Sequence, residues 1–421
     1  MPYHRSFKRA RWPACLLVEL KLPAMVEGRM SNANLDFRMV DVASKEGERE
    51  TQRLRAVPPP ASRIDVAPTI QALTPYEAVS SQAAIEAQPD HRTVFKLDWN
   101  ESTIEPSPRV TAAIAQYLTH GRGLNWYPRL GSVELLDALA DYTGVSTDSL
   151  LVTNGSDDAL HLICSTYLDR DDDVVIPVPT YNHFMVFAQS RGANVITVRG
   201  ETAFDPNLEG IRAQMTRRTR LLYLVSPNNP TGMVFDPEVV AAFCRDFPET
   251  IVVLDEAYFE FSQVTGVNLV REFDNLIVTR TFSKAFGLAG LRVGYLAASP
   301  ALVDGLRRIY NPKSVNSLGQ IGAIAALGDL DYLNAFLDQV RESKRMLGEF
   351  FESRGVEAYI TSANFVVVRV ANIAGTLEAL EARGVYVRDR SSYPGLEGCL
   401  RMSVGTIEQT ERLLERIDDL F

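Results

Sequence analysis

Cysteine is scarce in this chain, and so are long apolar runs and positive charge. The 421 residues include Cys15, Cys164, Cys244 and Cys399 without paired spacing, which indicates neither a disulfide framework nor a zinc site. We therefore expect a reducing, cytoplasmic setting and no metal. With 43 Lys and Arg against 53 Asp and Glu, the net charge of −10 argues against nucleic acid as a partner.

No apolar run reaches the ~20 residues that a membrane-spanning helix needs, so we expect no membrane association. The nearest candidate, residues 14–22, is interrupted by Glu19 and Lys21. A signal or transit peptide is the alternative there, although no small-residue cleavage site is evident. Residues 1–65 are polar and charged and contain three consecutive prolines at 58–60. We expect them to form a disordered extension or linker that contributes little to chemistry.

Beyond residue 65, short apolar runs recur between helical patterns. The runs do not alternate in polarity, which is typical of strands buried on both faces of a parallel sheet. They lie at 150–153, 174–176, 195–198, 221–225, 251–254 and 276–278. The C-terminal part instead combines amphipathic helices at 331–354, 376–383 and 407–420 with strands at 365–370 and 399–404. The pattern predicts an α/β fold with a large, mostly parallel, doubly wound sheet and a smaller α+β lobe.

Polar segments follow several of these strands, at the sheet edge where open α/β folds carry their reactive groups. Gly155, Ser156 and Asp157 follow the first strand and open a helix, whose N-terminal N–H groups and dipole suit a phosphate. An ordinary helix cap is the alternative. A turn with two prolines and a glycine follows the strand at 221–225, and it could hold the Asn229 amide at a fixed angle.

Two charged residues follow the next strands. Asp255 ends a buried run, where a carboxylate is costly unless a cation or a hydrogen-bond donor pairs with it. A protonated ring nitrogen would be such a partner; a structural ion pair or a metal ligand is the alternative. A partly desolvated lysine has a lowered pKa and can form a Schiff base with an aldehyde, so Lys284 is a candidate nucleophile. Thr281, Ser283 and Arg292 surround it in sequence and could hold an anion, although a solvated loop lysine is the alternative.

Taken together and in this order, the motifs over residues 66–421 resemble the fold-type I pyridoxal-phosphate aminotransferases. The resemblance implies pyridoxal 5'-phosphate as cofactor, and Lys284, Asp255 and Tyr258 as catalytic residues. Lys284 would hold the cofactor aldehyde and then move the proton of the substrate α-carbon, while Asp255 would pair with the ring nitrogen. The resemblance implies that Asn229 and Tyr258 bind the ring hydroxyl and that Tyr181 stacks on the ring. The phosphate would be surrounded by Ser156, Asp157, Thr281, Ser283 and Arg292, and Gly155 in the same turn is also a predicted cofactor-binding residue.

Within that group the chain most resembles the histidinol-phosphate aminotransferases. Residues 73–76 look like a motif whose tyrosine, Tyr76, reaches the substrate, and Asn100 lies in the position of the family's Asn-Glu pair. Tyr127, in Trp-Tyr-Pro at 126–128, looks like a tyrosine that reaches the cofactor phosphate of the neighbouring subunit. The last match implies a homodimer with shared active sites.

Arg388 and Arg401 look like the family's two C-terminal arginines. The resemblance implies that Arg401 grips the α-carboxylate of glutamate or 2-oxoglutarate with two parallel hydrogen bonds, and that Arg388 helps with the substrate side chain or phosphate. Solvated surface charges are the alternative. The chain departs from the family at Lys313, which replaces a tyrosine that helps receive the substrate phosphate. Lys313 could bind a phosphate as a point charge, or it could be an ordinary solvated lysine.

The activity that the resemblance implies is amino transfer from L-histidinol phosphate to 2-oxoglutarate, giving imidazole-acetol phosphate and L-glutamate in histidine biosynthesis. An aminotransferase for aromatic or other amino acids, or a related phospho-amino-acid decarboxylase, is the alternative. A transcription regulator with an aminotransferase-like domain is disfavoured, because residues 1–65 show no helix-turn-helix pattern. The expected domains are an arm with part of the small domain at 66–115, a large cofactor-binding domain at 116–310, and a small C-terminal domain at 311–421.

Overall fold

The computed structural model describes residues 65–71, 73, 81–86, 94–121 and 123–421, which belong to a unit that begins at Asp65. The predicted extension over residues 1–64 lies outside the described residues, and so does Tyr76. No helix in the described part of the chain is long and apolar enough to cross a membrane.

The described strands form three sheets. Their bounds are β1 (Phe95–Lys96), β2 (Leu150–Thr153), β3 (Asp173–Val178), β4 (Asn194–Arg199), β5 (Thr219–Val225), β6 (Ile251–Asp255), β7 (Leu276–Thr281), β8 (Gly294–Ala298), β9 (Ala358–Ile360), β10 (Phe365–Arg369), β11 (Val385–Tyr386), β12 (Arg388–Asp389) and β13 (Cys399–Ser403). The seven-stranded sheet has the order β2-β8-β7-β6-β5-β3-β4. Strand β8 runs antiparallel to both neighbours, whereas the pairs from β7 to β4 are parallel. The predicted large, mostly parallel sheet is confirmed.

The central strands of this sheet are buried on both faces. On β6, Val252 and Leu254 belong to one hydrophobic core, and Ile251 and Val253 belong to another. Successive side chains of a strand point to opposite faces, so the two cores lie on the two sides of the sheet. The apolar runs of the central strands have no polar alternation because neither face meets water, whereas the edge strand β4 is partly exposed.

The described helices connect the strands. Their bounds are α1 (Pro68–Gln71), α2 (Gln82–Glu86), α3 (Pro108–His120), α4 (Val133–Thr143), α5 (Ser156–Tyr167), α6 (His183–Ser190), α7 (Leu208–Gln214), α8 (Pro237–Asp246), α9 (Phe259–Ser262), α10 (Pro300–Arg307), α11 (Ser317–Leu327), α12 (Leu330–Ser353), α13 (Ile373–Ala382) and α14 (Ile407–Ile417). Proline starts α3, α8 and α10, where its missing N–H costs no hydrogen bond. The three helices predicted in the C-terminal part correspond to α12, α13 and α14.

The C-terminal part forms its own antiparallel sheet with the order β12-β13-β10-β9. A short parallel pair joins β1 to β11, with Phe95 opposite Val385, so the chain before α3 reaches the C-terminal part. The side chains of β10 and β13 pack with α12 and α14 in a separate core that includes Val366, Leu400 and Leu413. This is the smaller α+β lobe that the sequence predicts.

Strand β8 was not predicted. Its sequence, Gly-Tyr-Leu-Ala-Ala, is rich in residues with low strand propensity, which is why the sequence gives only a weak signal. It is nevertheless fully buried between β2 and β7. Burial and pairing on both sides override the local propensity.

Gly294, the first residue of β8, is expected to tolerate no side chain. A Cβ there would lie 2.6 Å from the carbonyl carbon of Gly155 and 2.7 Å from the backbone nitrogen of Ser156, at the start of α5. Backbone cannot move aside as a side chain can, so we expect Gly294→Ala to lower the free energy of unfolding by about 1–3 kcal/mol. Urea unfolding would measure this. Gly290→Ala is the matched control, because a Cβ at Gly290 meets no atom within 4 Å; equal unfolding midpoints would contradict the prediction.

Candidate active site

A cavity of about 1210 Å³ opens at the carboxyl ends of the parallel strands and extends to the C-terminal sheet. Val225, Asp255 and Thr281, the last residues of β5, β6 and β7, line it on one side, and Arg388 and Arg401 line it on the other. The predicted site residues on its wall are Ser156, Asp157, Tyr181, Asn229, Asp255, Tyr258, Thr281, Ser283, Lys284, Arg292, Arg388 and Arg401. The fold thus brings together residues that are far apart in the sequence.

Asp255 is the buried acid of this cavity, with 3% of its surface exposed. The Tyr223 hydroxyl donates to its Oδ2 at 2.9 Å, and the Thr279 hydroxyl donates to its Oδ1 at 3.2 Å. Burial raises the pKa of Asp255 to about 6, and the two hydroxyls partly oppose this because they stabilise the carboxylate. No cationic side chain in the described part of the chain forms an ion pair with Asp255, so the carboxylate suits a cationic group that is not part of the protein.

Tyr223 and Thr279 were not predicted as site residues. Both are completely buried on apolar strands, and a buried hydroxyl needs a hydrogen-bond partner. A tyrosine or threonine on a strand predicted to be buried was therefore the signal that the sequence offered. The partner could not be identified without the register that places Val225 beside Asp255 and Asp255 beside Thr279.

Lys284 lies in the loop after β7, on the cavity wall. Its Nζ donates to the backbone carbonyl of Trp99 at 3.0 Å and lies 5.9 Å from the centroid of the Tyr258 ring. No described carboxylate forms an ion pair with this amine. Its contacts with the protein leave the nitrogen able to react with a carbonyl group in the cavity.

The N-terminus of α5 forms an anion cradle with Arg292. Gly155 caps the helix at a φ of 84°, and no side chain bonds the N–H groups of the first turn, so the capped-turn alternative is not what the structure shows. Arg292 Nη1 lies 3.3 Å from Ser283 Oγ, which also accepts from the Thr281 hydroxyl at 3.0 Å. A Cβ at Gly155 would lie 2.5 Å from Arg292 Nη2, so any other residue would displace the guanidinium. Helix dipole, hydroxyls and guanidinium together fit a phosphate.

Polar side chains lie between the cradle and the arginines. The Tyr181 hydroxyl donates to Asp157 Oδ1 at 2.8 Å. Asn229 Oδ1 accepts from Arg401 Nη1 at 2.6 Å, so the predicted proline-flanked turn does orient this amide. With Asp255 for a ring nitrogen and Lys284 for an aldehyde, these residues fit pyridoxal phosphate.

Asn100 lies behind the cavity wall and not on it. It is 1% exposed, and its Nδ2 donates to the Tyr258 hydroxyl at 3.0 Å. Its backbone N–H donates to Ser403 Oγ at 3.0 Å, which fixes its left-handed backbone with a φ of 55°. In this structure Asn100 contacts protein groups and supports Tyr258. Its expected contact with substrate stays a prediction.

Tyr127 also lies away from the cavity of its own chain. It is 80% exposed, and the Nζ of Lys313 lies 5.1 Å from the centroid of its ring. The predicted contact of Tyr127 with a cofactor phosphate cannot be made within this chain. The other expected substrate contact, Tyr76, lies outside the described residues.

Three arginines at the C-terminal sheet, Arg388, Arg390 and Arg401, lie together on the cavity wall. Arg401 is 3% exposed, its Nη2 donates to the Asp98 carbonyl at 2.6 Å, and its Nε has no hydrogen-bond partner among the described residues. Burial lowers the pKa of Arg401 to about 9, and the charges of Arg390 and Arg388 add to the effect. Arg388 lies directly opposite Arg401 in the β12–β13 pair. Arg390, one residue beyond the end of β12, also lines the cavity and was not predicted.

Comparison with known proteins identifies the family. Residues 92–417 match the family described as "Aminotransferase class I and II". The dihydroxyacetone phosphate transaminase of Campylobacter jejuni is 36% identical over 356 residues, which are 83% of this chain and 95% of that protein. The histidinol-phosphate aminotransferase 2 of Archaeoglobus fulgidus is 38% identical over 335 residues, 78% of this chain and 94% of that protein.

A solved structure shows the same fold. Histidinol-phosphate aminotransferase from Sinorhizobium meliloti in complex with pyridoxal-5'-phosphate is 29% identical, with a TM-score of 0.76 over 86% of this chain and all of that one. The chain belongs to the class I and II aminotransferases. It is a pyridoxal-phosphate-dependent transaminase of fold type I, so the predicted fold, cofactor and reaction class are confirmed.

We expect Tyr223→Phe to weaken cofactor binding at mildly acidic pH. The change removes a hydrogen bond that stabilises the Asp255 carboxylate, so the pKa of Asp255 rises further above its ordinary value. Asp255 pairs with a protonated ring nitrogen only when it is ionised, so the pairing is lost as the pH falls through the pKa of Asp255. Because that pKa is higher in the variant, the variant loses the pairing at a higher pH than the wild type does. Titration of the apoenzyme with pyridoxal phosphate between about pH 5 and pH 8 measures the shift.

The matched control is Tyr167→Phe, which removes a partly buried hydroxyl that donates to the Leu302 carbonyl and does not line the cavity. It should bind the cofactor as the wild type does at every pH. If the two variants had the same pH profile, Tyr223 would have no role in tuning Asp255.

Proposed function

We propose that this transaminase transfers the amino group of L-histidinol phosphate to 2-oxoglutarate, in the cytoplasm and as a step of histidine biosynthesis. The observation that carries the proposal is the presence of two separate anion sites on one cavity. The cradle at α5 serves the cofactor phosphate, and the arginines of the C-terminal sheet remain for the substrate. Relatives named histidinol-phosphate aminotransferase, 33% to 38% identical over more than nine-tenths of their length, support the same substrate.

The chain's residues divide the chemistry among them. Pyridoxal phosphate, when bound, supplies a ring that withdraws electrons from the substrate α-carbon. Lys284 Nζ, the amine at the cavity wall, would hold the cofactor aldehyde and, once the substrate amine has displaced it, would take the proton from the substrate α-carbon. Asp255 would keep the ring nitrogen protonated. Its carboxylate is buried, so its attraction to the charged nitrogen is strong. Asn229 and Tyr258 hold the ring hydroxyl.

Arg401 and Arg388 orient the substrate. We assign the buried Arg401 to the α-carboxylate of glutamate, since its Nε and an Nη can form a two-pronged contact with a carboxylate. Arg388, which lies beside it on the next strand, is assigned to the substrate side chain or phosphate. The two half-reactions use the same arginines, so the amino donor and the oxo acid bind in turn.

A second candidate is amino transfer to dihydroxyacetone phosphate. It is favoured by the Campylobacter jejuni relative, which is named for that activity and is covered over 95% of its length. Histidinol phosphate and dihydroxyacetone phosphate are both phosphate monoesters, so the arginines alone do not choose between them. An aminotransferase for aromatic substrates and a phospho-amino-acid decarboxylase are the remaining alternatives.

A half-reaction scan tests the proposal. Purified protein with pyridoxal phosphate is mixed in turn with L-histidinol phosphate, L-glutamate, serinol phosphate, L-phenylalanine and L-threonine phosphate, and the absorbance of the cofactor is followed. We expect rapid conversion of the cofactor from its aldehyde to its amine form with histidinol phosphate and with glutamate. Conversion with glutamate and serinol phosphate but not with histidinol phosphate would overturn the substrate and favour the second candidate. Carbon dioxide release with threonine phosphate would indicate the decarboxylase.

Lys284→Ala is the internal control of this scan. It removes the amine that takes the α-proton, so conversion should be lost with every donor, while the cradle still binds the cofactor phosphate. Lys313→Ala leaves Lys284 intact and should still react with glutamate. Normal conversion by Lys284→Ala would rule out the assigned base.

We further propose a homodimer in which Tyr127 completes the site of the partner. Four large apolar side chains of this segment are more than half exposed: Leu124, Trp126, Tyr127 and Leu130. Exposed apolar side chains that lie together on a surface favour association with another protein. A second copy of the chain would cover this segment and could bring Tyr127 to the partner's phosphate cradle.

Mixed dimers of Lys284→Ala and Tyr127→Phe chains test this arrangement. Each mixed dimer contains one site with both residues intact, because the Lys284→Ala chain supplies a normal Tyr127 to the other chain. Random exchange should therefore give about one quarter wild-type sites, and the affinity for pyridoxal phosphate in those sites should be restored. Activity equal to the average of the two parent variants would show that the sites are not shared.

A further inference from the structure

A second pocket, of about 230 Å³, lies between α4, α9, β7 and α12 and shares no lining residue with the active cavity. Its floor is formed by Tyr142 of α4, Glu260 of α9 and Arg280 of β7, and Leu333 and Leu337 of α12 form one wall. The amide side chains of Gln263, Asn268 and Asn334 line the exposed rim. The pocket thus has a charged floor, an apolar wall and a polar mouth.

Glu260 at the floor is only 3% exposed. Its Oε1 lies 3.5 Å from the Tyr142 hydroxyl, and its Oε2 has no hydrogen-bond partner among the described residues. A buried carboxylate oxygen without a partner costs free energy, which a ligand with a cationic N–H group can recover. Burial raises the pKa of Glu260 to about 7.

The charge of Arg280 partly opposes the effect of burial on the pKa of Glu260, but the hydrogen bonds and the ion pair of Arg280 go to other groups. Its Nη2 lies 2.8 Å from Glu256 Oε2 in a fully buried ion pair, and its Nε donates to the same oxygen at 2.9 Å. Its Nη1 donates to the Tyr295 hydroxyl at 3.3 Å. One arginine and two glutamates thus leave one negative charge unbalanced when Glu260 is ionised.

We propose that this pocket binds a small organic ammonium compound, whose N–H group donates to Glu260 Oε2. The Tyr142 ring and the α12 leucines suit the hydrocarbon part of such a ligand, since a cation with apolar substituents packs well against aromatic and aliphatic groups. A metal ion fits less well, because the described residues contain no cluster of three or more ligating side chains. The site is independent of the substrate proposed for the active cavity.

The pocket is connected to the active site through two strand ends. Glu256 follows Asp255 at the end of β6, and Arg280 precedes Thr281 on β7. Adjacent residues of a strand face opposite sides, so the Glu256–Arg280 pair lies behind the residues of the active cavity. A ligand on Glu260 would therefore act on the same strand ends from the other side.

Calorimetric titration of the holoenzyme with trimethylammonium chloride tests the proposal. A tertiary ammonium ion is chosen because it cannot condense with the cofactor aldehyde. We expect saturable binding, with no comparable binding of tert-butanol, an uncharged molecule of similar shape, or of potassium chloride at the same ionic strength. Saturating 2-oxoglutarate should not displace trimethylammonium, because the pockets are separate. Displacement by 2-oxoglutarate, or equal binding of tert-butanol, would overturn the proposal.

Glu260→Gln should weaken trimethylammonium binding about tenfold or more, since it keeps the shape and removes the charge. Glu272→Gln, at an exposed acid nearby, is the control for net charge and should bind as the wild type does. Unchanged affinity in Glu260→Gln, or no binding by the wild type, would exclude the site.

The pH dependence gives a test that needs no variant. The titratable and charged groups that act on Glu260 are Arg280, Glu256, Tyr142 and Tyr295, and the described α12 residues that line the pocket are Leu330, Leu333, Asn334 and Leu337. The ligand favours ionised Glu260, so the affinity should be full above its pKa and fall as the pH decreases through about 7. An affinity that did not change with pH over this range would contradict the assignment of Glu260.

Discussion

The buried carboxylate of Asp255 has lost most of its contact with water, and burial alone favours its neutral form. Its position at the carboxyl end of β6 follows from the parallel sheet, which also brings hydroxyls from β5 and β7 to within hydrogen-bond distance. These donors hold the carboxylate in place but supply no charge. A cofactor whose ring nitrogen accepts a proton supplies that charge, and the orientation of the ring then determines where Lys284, Tyr258 and the α5 cradle must lie.

The sequence predicts the parts of the fold whose signal is local. Apolar runs at 251–254 and 276–278 predict β6 and β7 to within a few residues, and Asp255 and Lys284 are conspicuous as charged residues after such runs. Strand β8 was missed because its glycine and alanines carry little strand propensity. Tyr223 and Arg390 were missed because their roles depend on strand register, which the sequence does not reveal. The hydrogen bond of Asn100 with Ser403, 303 residues away, could not be predicted either, because it depends on how the two ends of the described chain meet.

The alternation of side chains along β6 and β7 gives the sheet edge two functional sides. Asp255 and Thr281 face the active cavity, whereas Glu256 and Arg280 form an ion pair behind it. Burying an ion pair costs the desolvation energy of both charges, and removing one partner leaves the other charge buried and unpaired. The pair therefore fixes the relative position of the two strand ends, and with them the distance between Asp255 and the hydroxyl of Thr281. Glu260 is the member of this group that the protein leaves incompletely satisfied.

The positive charges of the arginines at the C-terminal sheet also bear on the proposed substrate. Arg388 and Arg401 lie on paired strands, and Arg390 adds a third positive charge that lowers the pKa of Arg401. Arg401 is buried and Arg388 and Arg390 are partly buried, so their combined positive charge favours a ligand with more than one negative charge. A phosphate monoester and a dicarboxylic oxo acid both have that property, but a neutral aromatic amino acid has only its α-carboxylate. The charge of the cluster therefore favours the first two over the third, whatever the shape of the rest of the substrate.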